Sequence, residues 1–227
     1  MNVFNYSKGI NVKKSSVIII GASNQATSLT SIVLSLGIKI LAYVDDKKAG
    51  QTFFDCPVLS KNQFLNTYTN ENLVIAIGDN AIREKVFFEY KSYLPNANFP
   101  SLIHRSAVIG YKSTIGDGTV VMPLANVGAN STVGKFCIIN TSSSIDHDSS
   151  MKSFSSLAPG VVTGGNVKIG ARSVLSVGAV IKHGVTIGND VVIGANSYVN
   201  KTIDDLVLAY GSPCKIISQR RKGDSYL

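Results

Sequence analysis

The sequence predicts two folds in series, an α/β Rossmann-like half domain and then an all-β left-handed parallel β-helix. Three observations carry this. From Ile103 to Val199 an apolar residue recurs at every sixth position, with Thr163 as the departure. Four places after each stands a small or β-branched residue, from Ala107 through Cys137 and Val167 to Ser197. Ahead of the repeat, short apolar runs ending in glycine and small polar residues alternate with helical stretches, the pattern of parallel strands joined by helices.

Residues 1–15 read as a polar extension, and 16–100 as the α/β domain. Val17 to Ile20 form a buried strand, followed by the turn Gly21-Ala22-Ser23-Asn24-Gln25-Ala26 and an apolar helix to about Leu36. The free backbone N–H groups at such a helix start favour an anion. A second strand, Lys39 to Val44, ends in Asp45-Asp46, where a carboxylate can accept from a ribose or sugar hydroxyl. Only the first glycine of the usual dinucleotide fingerprint is present, and the span suits one nucleotide rather than two. A third strand, Leu73 to Ile77, runs into Gly78-Asp79-Asn80 and a helix from Ala81 to Lys91. Ligands of open parallel sheets lie beyond the carboxyl ends of the strands, so Ser23, Asp45, Asp46 and Gly78 converge on one crevice.

A six-residue period belongs to neither an amphipathic helix nor an alternating strand. Three six-residue sides make a triangular coil, and eighteen residues climb one layer. The bulky aliphatic fills the interior and the small residue lets the corner close. Gly110, Gly116, Gly118, Gly128, Gly134, Gly170, Gly188 and Gly194 are expected to supply the permissive backbone of the corners. This prism spans 101–217, with a basic tail over 218–227 that includes Arg220, Arg221 and Lys222.

The chain has 227 residues, room for the prism plus one small domain. Apolar residues make up 44% and charged residues 16%, which excludes a disordered chain. The formal charge is +8, but the Lys and Arg are scattered without interleaved aromatics, so small polyanions are expected and nucleic acid is not. Cys56, Cys137 and Cys214 are sparse and far apart, as in a reducing cytoplasm. No signal-length or membrane-length apolar run occurs, so a soluble cytoplasmic protein without membrane partners is expected.

One coil departs from the pattern. Asn140 to Asp148, NTSSSIDHD, replaces corner glycines with a polar cluster around His147. His147 stands two places after inward Ile145 and so projects from the coil, where a near-neutral imidazole can take a proton. Asp146 or Asp148 can orient its ring. His183 follows two coils later on the same wall, about 10 Å along it, with Gly165 halfway. His104 is placed at the domain junction. A metal site would need three histidines converging on one ion, which this spacing does not give within one chain; no metal is expected.

The chain resembles the sialic-acid O-acetyltransferase-like family of hexapeptide-repeat sugar acetyltransferases, which includes N-acetyltransferases of nucleotide-linked 4-amino-4,6-dideoxy sugars. The resemblance covers residues 16–217 and rests on IIIGAS, VDDK, AIGDNAIREK, INTSSSIDHD, GGNVKIG and YGSPCKII. It implies that acetyl-CoA is the co-substrate, that His147 is the general base with Asp148 as its partner, and that Asn140 holds the sugar. It implies nucleotide-sugar contacts at Ser23, Asn24, Gln25, Asp45, Asp46, Lys47 and Gly78. Gly165, Val177 and Ala195 match positions lining the acetyl-CoA cleft, and Ser156 stands where many relatives carry a second histidine near the thioester. A homotrimer with sites between neighbouring prisms is implied as well. Asn24, Gln25 and Ala26 depart from the family's Gly-His-Gly. Two other readings stay open: O-acetylation of a sugar such as sialic acid, and a non-catalytic nucleotide-sugar-binding protein.

Overall fold

A computed structural model describes residues 16–226, so the expected extension over 1–15 lies outside the described residues. The first strands and helices follow the apolar pattern. β1 (Ser16–Ile20) enters α1 (Asn24–Ser35), and β2 (Lys39–Val44) pairs parallel with β1. A stretch that periodicity did not flag follows: a short antiparallel hairpin of β3 (Thr52–Phe53) and β4 (Cys56–Leu59), then α2 (Lys61–Thr67). Its signal was chemical rather than periodic, since Ser60 and Gln63 form a reciprocal capping box at the start of α2. β5 (Asn72–Ile75) pairs with β1 and leads to α3 (Asn80–Tyr93). The strand order is β3-β4-β2-β1-β5, so the carboxyl ends of β1, β2 and β5 lie side by side.

The prism follows in two-residue strands stacked at an 18-residue register, for example Asn126 against Ser144 and Ile138 against Ser156. It has three faces. Face I holds the strands beginning at Val108, Asn126, Ser144, Val162, Val180 and Tyr198; face II those at Thr114, Thr132, Ser150, Lys168 and Thr186. Face III holds those at Leu102, Val120, Ile138, Ser156, Val174 and Val192, and continues into the hairpin β6 (Val207–Tyr210) and β7 (Lys215–Gln219). Because β7 runs to Gln219, ordered strand extends past the expected prism limit at 217. The interior is a continuous aliphatic column including Val121, Ile139, Ile145, Leu157, Leu175 and Ile193, all fully buried. Each such side chain contributes about 1.5–3 kcal/mol by burial.

The corner glycines do a different job from the one expected. At fifteen successive steps of six, from Lys112 to Asn196, the backbone has positive φ, and most of those residues are not glycine; Asn130, Asp148 and Asn166 are typical. Of the eight glycines expected to do so, Gly118, at φ +68°, is the one that stands at such a step. Gly110, Gly116, Gly128, Gly134 and Gly170 stand two places earlier, where a Cβ would come within 2.2–2.6 Å of the next coil. They are needed for close stacking of layers, not for backbone freedom.

Arg83 joins the two parts of the molecule. Its fully buried guanidinium donates to the carbonyls of Phe136 (2.9 Å) and Phe154 (3.1 Å) in the prism and of Ile77 (2.9 Å) and Gly78 (2.7 Å) in the α/β unit. Asn80 adds bonds from Nδ2 to the carbonyls of Arg172 and Ser173. Around Arg83, Phe87, Phe99, Phe136 and Phe154 pack ring on ring, with Phe136 and Phe154 stacked at 5.3 Å. The α/β unit is thereby seated against face III.

Candidate active site

The triangular section sorts the predicted site residues onto separate edges. The edge between faces I and II carries Ala129, His147, Gly165 and His183 at successive 18-residue steps. The edge between faces III and I carries Thr141, Pro159, Val177 and Ala195. Val177 and Ala195 are exposed there, and Asn140 lies one residue before that edge with its Oδ1 accepting from Thr141 N–H. One chain therefore does not bring Asn140, Val177 and Ala195 to His147.

On the first edge a hydrogen-bonded cluster is assembled from two adjacent coils. His147 Nδ1 lies 2.7 Å from Asp148 Oδ2, and Asp148 Oδ1 accepts from Asn130 Nδ2 at 2.6 Å. Asp146 Oδ1 accepts from His147 N–H at 2.7 Å, and its other oxygen stands 4.0 Å from His147 Nε2. With Nδ1–H directed at Asp148, Nε2 is left as the basic nitrogen of a side chain about half exposed. The Asp148 hydrogen bond, and then the Asp146 charge, hold the His147 pKa above its ordinary value. The Asn130 hydrogen bond, and then that of His147, hold Asp148 below the usual carboxylate range.

Two supports of this cluster were within reach of the sequence and were missed. Asn130 stands eighteen residues before Asp148, one coil below it. Thr163, which reads as a flaw in the apolar series, is buried, and its hydroxyl accepts from Asp146 N–H at 3.1 Å. Gly165 has a further role: a Cβ there would sit 2.6 Å from His147 Cε1 and Nε2. The imidazole leans into that space, so the His147 and His183 rings are 6.3 Å apart rather than about 10 Å.

At the carboxyl ends of the α/β strands, more of the carboxylate capacity is engaged than the sequence suggests. Asp45 accepts from Ala22 N–H and Lys47 N–H, and Asp46 accepts from Lys61 N–H. Ser23 caps α1 without a side-chain hydrogen bond, leaving its hydroxyl free of that role. Asn24 is exposed, and Gln25 Nε2 is buried without a partner. Gly78 offers its carbonyl to Arg83 and, from the C-terminal segment, to Tyr226. Ser156 is buried beneath α3, donating to Asn80 Oδ1 at 2.6 Å and accepting from Arg83 at 3.1 Å. Cys137 is buried in the prism, its thiol pushed up by burial, so it is not placed as an acyl carrier.

Comparison with known proteins settles the family. Residues 16–90 match the PglD N-terminal domain, and residues 160–201 match the bacterial transferase hexapeptide (six repeats). GDP-perosamine N-acetyltransferase of Escherichia coli O157:H7 is 32% identical over 157 residues, 68% of this chain and 69% of that one. The chain belongs to the acetyl-CoA-dependent hexapeptide-repeat sugar acetyltransferases. An asparagine variant of perosamine N-acetyltransferase from Caulobacter crescentus, in complex with CoA and GDP-perosamine, superposes with TM-score 0.84. It is 31% identical, over 90% of this chain and 97% of that chain. The acetyltransferase domain of PglB from Neisseria gonorrhoeae FA1090, in complex with acetyl coenzyme A, also gives 0.84 at 28% identity, covering 90% of this chain and all of that one. Among the described residues no helix is long and apolar enough to cross a membrane.

Proposed function

We propose that this acetyltransferase transfers the acetyl group of acetyl-CoA to the amino group of a nucleotide-linked 4-amino-4,6-dideoxy sugar in bacterial surface-glycan biosynthesis. The observation that carries the reading is the Asn130–Asp148–His147 cluster, which leaves a basic Nε2 on an open edge. The perosamine N-acetyltransferase complex with CoA and GDP-perosamine supports the substrate class, as does the crevice lined by Ser23, Asn24, Gln25, Asp45, Asp46, Lys47 and Gly78.

In this mechanism His147 Nε2 takes a proton from the sugar amine as its nitrogen attacks the thioester carbonyl. The tetrahedral oxyanion is met by a backbone N–H near Gly165, the C–S bond breaks, and the imidazolium returns its proton to the CoA thiolate. Asp148 fixes the ring and stabilises the imidazolium without itself taking the proton.

The active assembly is a homotrimer. Face I is flanked by both site-bearing edges and presents the exposed side chains of Val162, Val180 and Tyr198. Three prisms meeting by face I would set the His147 edge of each beside the neighbour's Asn140, Val177 and Ala195, closing a cleft for acetyl-CoA. The α/β units act as the nucleotide-sugar-binding domains.

The test is free-thiol release from acetyl-CoA by purified protein, with GDP-, UDP- and dTDP-linked 4-amino-4,6-dideoxy sugars and free sialic acid, and His147→Ala alongside. Turnover of one amino sugar, reduced by about 10²–10⁴ in the variant, is the expected result. Turnover of sialic acid alone, or unchanged activity in His147→Ala, would overturn it.

A further inference from the structure

The C-terminal segment folds back on the crevice. After β7, Arg220 N–H donates to the Leu206 carbonyl at 2.7 Å and a tight turn closes, with Arg221 N–H on the Asp224 carboxylate (2.7 Å) and Gly223 at φ +85°. The turn is further tied by Arg220 donating to the Asp224 carbonyl at 2.6 Å. This reversal delivers Ser225 and Tyr226 to the end of β5. Ser225 Oγ donates to Asp79 Oδ2 at 2.9 Å and Tyr226 N–H to the same oxygen at 3.2 Å. The Tyr226 hydroxyl donates to the Gly78 carbonyl at 2.7 Å and lies 3.4 Å from Asn80 Oδ1. Burial pushes the phenol up, with Arg83 alongside pulling it partly back.

These hydrogen bonds fall on one end of the crevice. β1 separates β5 from β2, so Gly78 and Asp45 are two strand spacings apart, about 10 Å. A ligand with its nucleotide toward Asp45–Lys47 would meet Tyr226 with its sugar. The segment also consumes the acceptors at that end. The Gly78 carbonyl already serves Arg83 and Tyr226, and Asp79 serves Ile82 N–H, Ser225 and Tyr226. A sugar hydroxyl brought there would compete with the segment for those acceptors.

We propose that residues 224–226 are a built-in strap walling the sugar end of the crevice, and that Tyr226 is a specificity-determining residue selecting deoxy over fully hydroxylated acceptor sugars. This rests on the nucleotide-sugar reading above.

The experiment compares the wild-type protein with Tyr226→Ala, Tyr226→Phe and a chain lacking residues 224–227, using paired nucleotide-linked 4-amino sugars that differ only in a methyl or hydroxymethyl group at C5. The quantity read is the ratio of kcat/KM for the deoxy and hydroxylated partners. It should fall about tenfold on deletion and in Tyr226→Ala, the worth of one or two hydrogen bonds, and by less in Tyr226→Phe. Circular dichroism confirms that each variant is folded. An unchanged ratio overturns the proposal, as does an equal rise in KM for both partners or an equal fall, which would mark the strap as a simple competitor. The same ratio read as Kd by calorimetry without acetyl-CoA does not depend on turnover. Absence of acetyl transfer with a strap-dependent Kd ratio would sink the proposed function and leave the strap standing; absence of binding by both partners would overturn both.

Discussion

His147 owes its chemistry to neighbours that are distant in sequence and adjacent in the coil. Its pKa is raised because Asp148 and Asp146 favour the imidazolium, yet a general base must be neutral. The rising limb of kcat/KM against pH should therefore lie above the ordinary histidine value. Asp148→Asn removes the largest cause of that shift, so the limb should move to lower pH while the plateau falls. Titrating kcat/KM in both proteins checks it, and an unmoved limb would separate Asp148 from the base. Asn130→Ala removes a single hydrogen bond to the carboxylate and should cost up to about tenfold in rate. Gly165→Ala places a methyl 2.6 Å from the ring and must push the imidazole aside. Activity should drop with little change in Tm, because the ring that moves lies on an open edge and not in the core.

At the scale of elements, Thr163 is the informative exception. Restoring the apolar series with Thr163→Val keeps the shape but leaves Asp146 N–H without its acceptor. That loss costs about 1–3 kcal/mol for a buried donor, set against a small gain in apolar burial. A net fall of about 1 kcal/mol by chemical denaturation, with a fall in kcat, is expected; a more stable and fully active variant would show that the threonine is incidental. Much of this architecture was legible beforehand. The six-residue period placed the inward column, and β2 was found at Lys39–Val44 because its apolar run is sharply bounded. The hairpin of β3 and β4 was not, since two-residue pairing of Thr52 and Phe53 leaves no period to read. Glycine identity marked the corners but not the reason for them: close layer stacking and positive φ fall on different residues of each turn. Asn130 reaches Asp148 through the 18-residue stack and Tyr226 reaches Gly78 through the C-terminal turn, contacts that adjacent sequence does not display.

For the molecule as a whole, the division of site residues between two edges has a direct consequence. If each site takes His147 from one copy and Asn140 from the next, neither His147→Ala nor Asn140→Ala chains can form a complete site alone. Mixed by denaturation and refolding together, they can: a site is intact where a His147-bearing edge meets an Asn140-bearing one. Random pairing in equal mixture makes roughly a quarter of the sites complete in a cyclic assembly. Recovery of about that fraction of wild-type turnover is the expected outcome, and refolding either variant by itself supplies the baseline. A charge on face I, as in Val180→Asp, should prevent the recovery by separating the copies while leaving the buried column intact, with sedimentation reporting the mass. If the mixture gains no activity, each chain must complete its own site, and the two edges would then have to be bridged by a ligand wrapping face I. That alternative predicts full activity in the dissociated Val180→Asp protein, so the same pair of measurements decides between them.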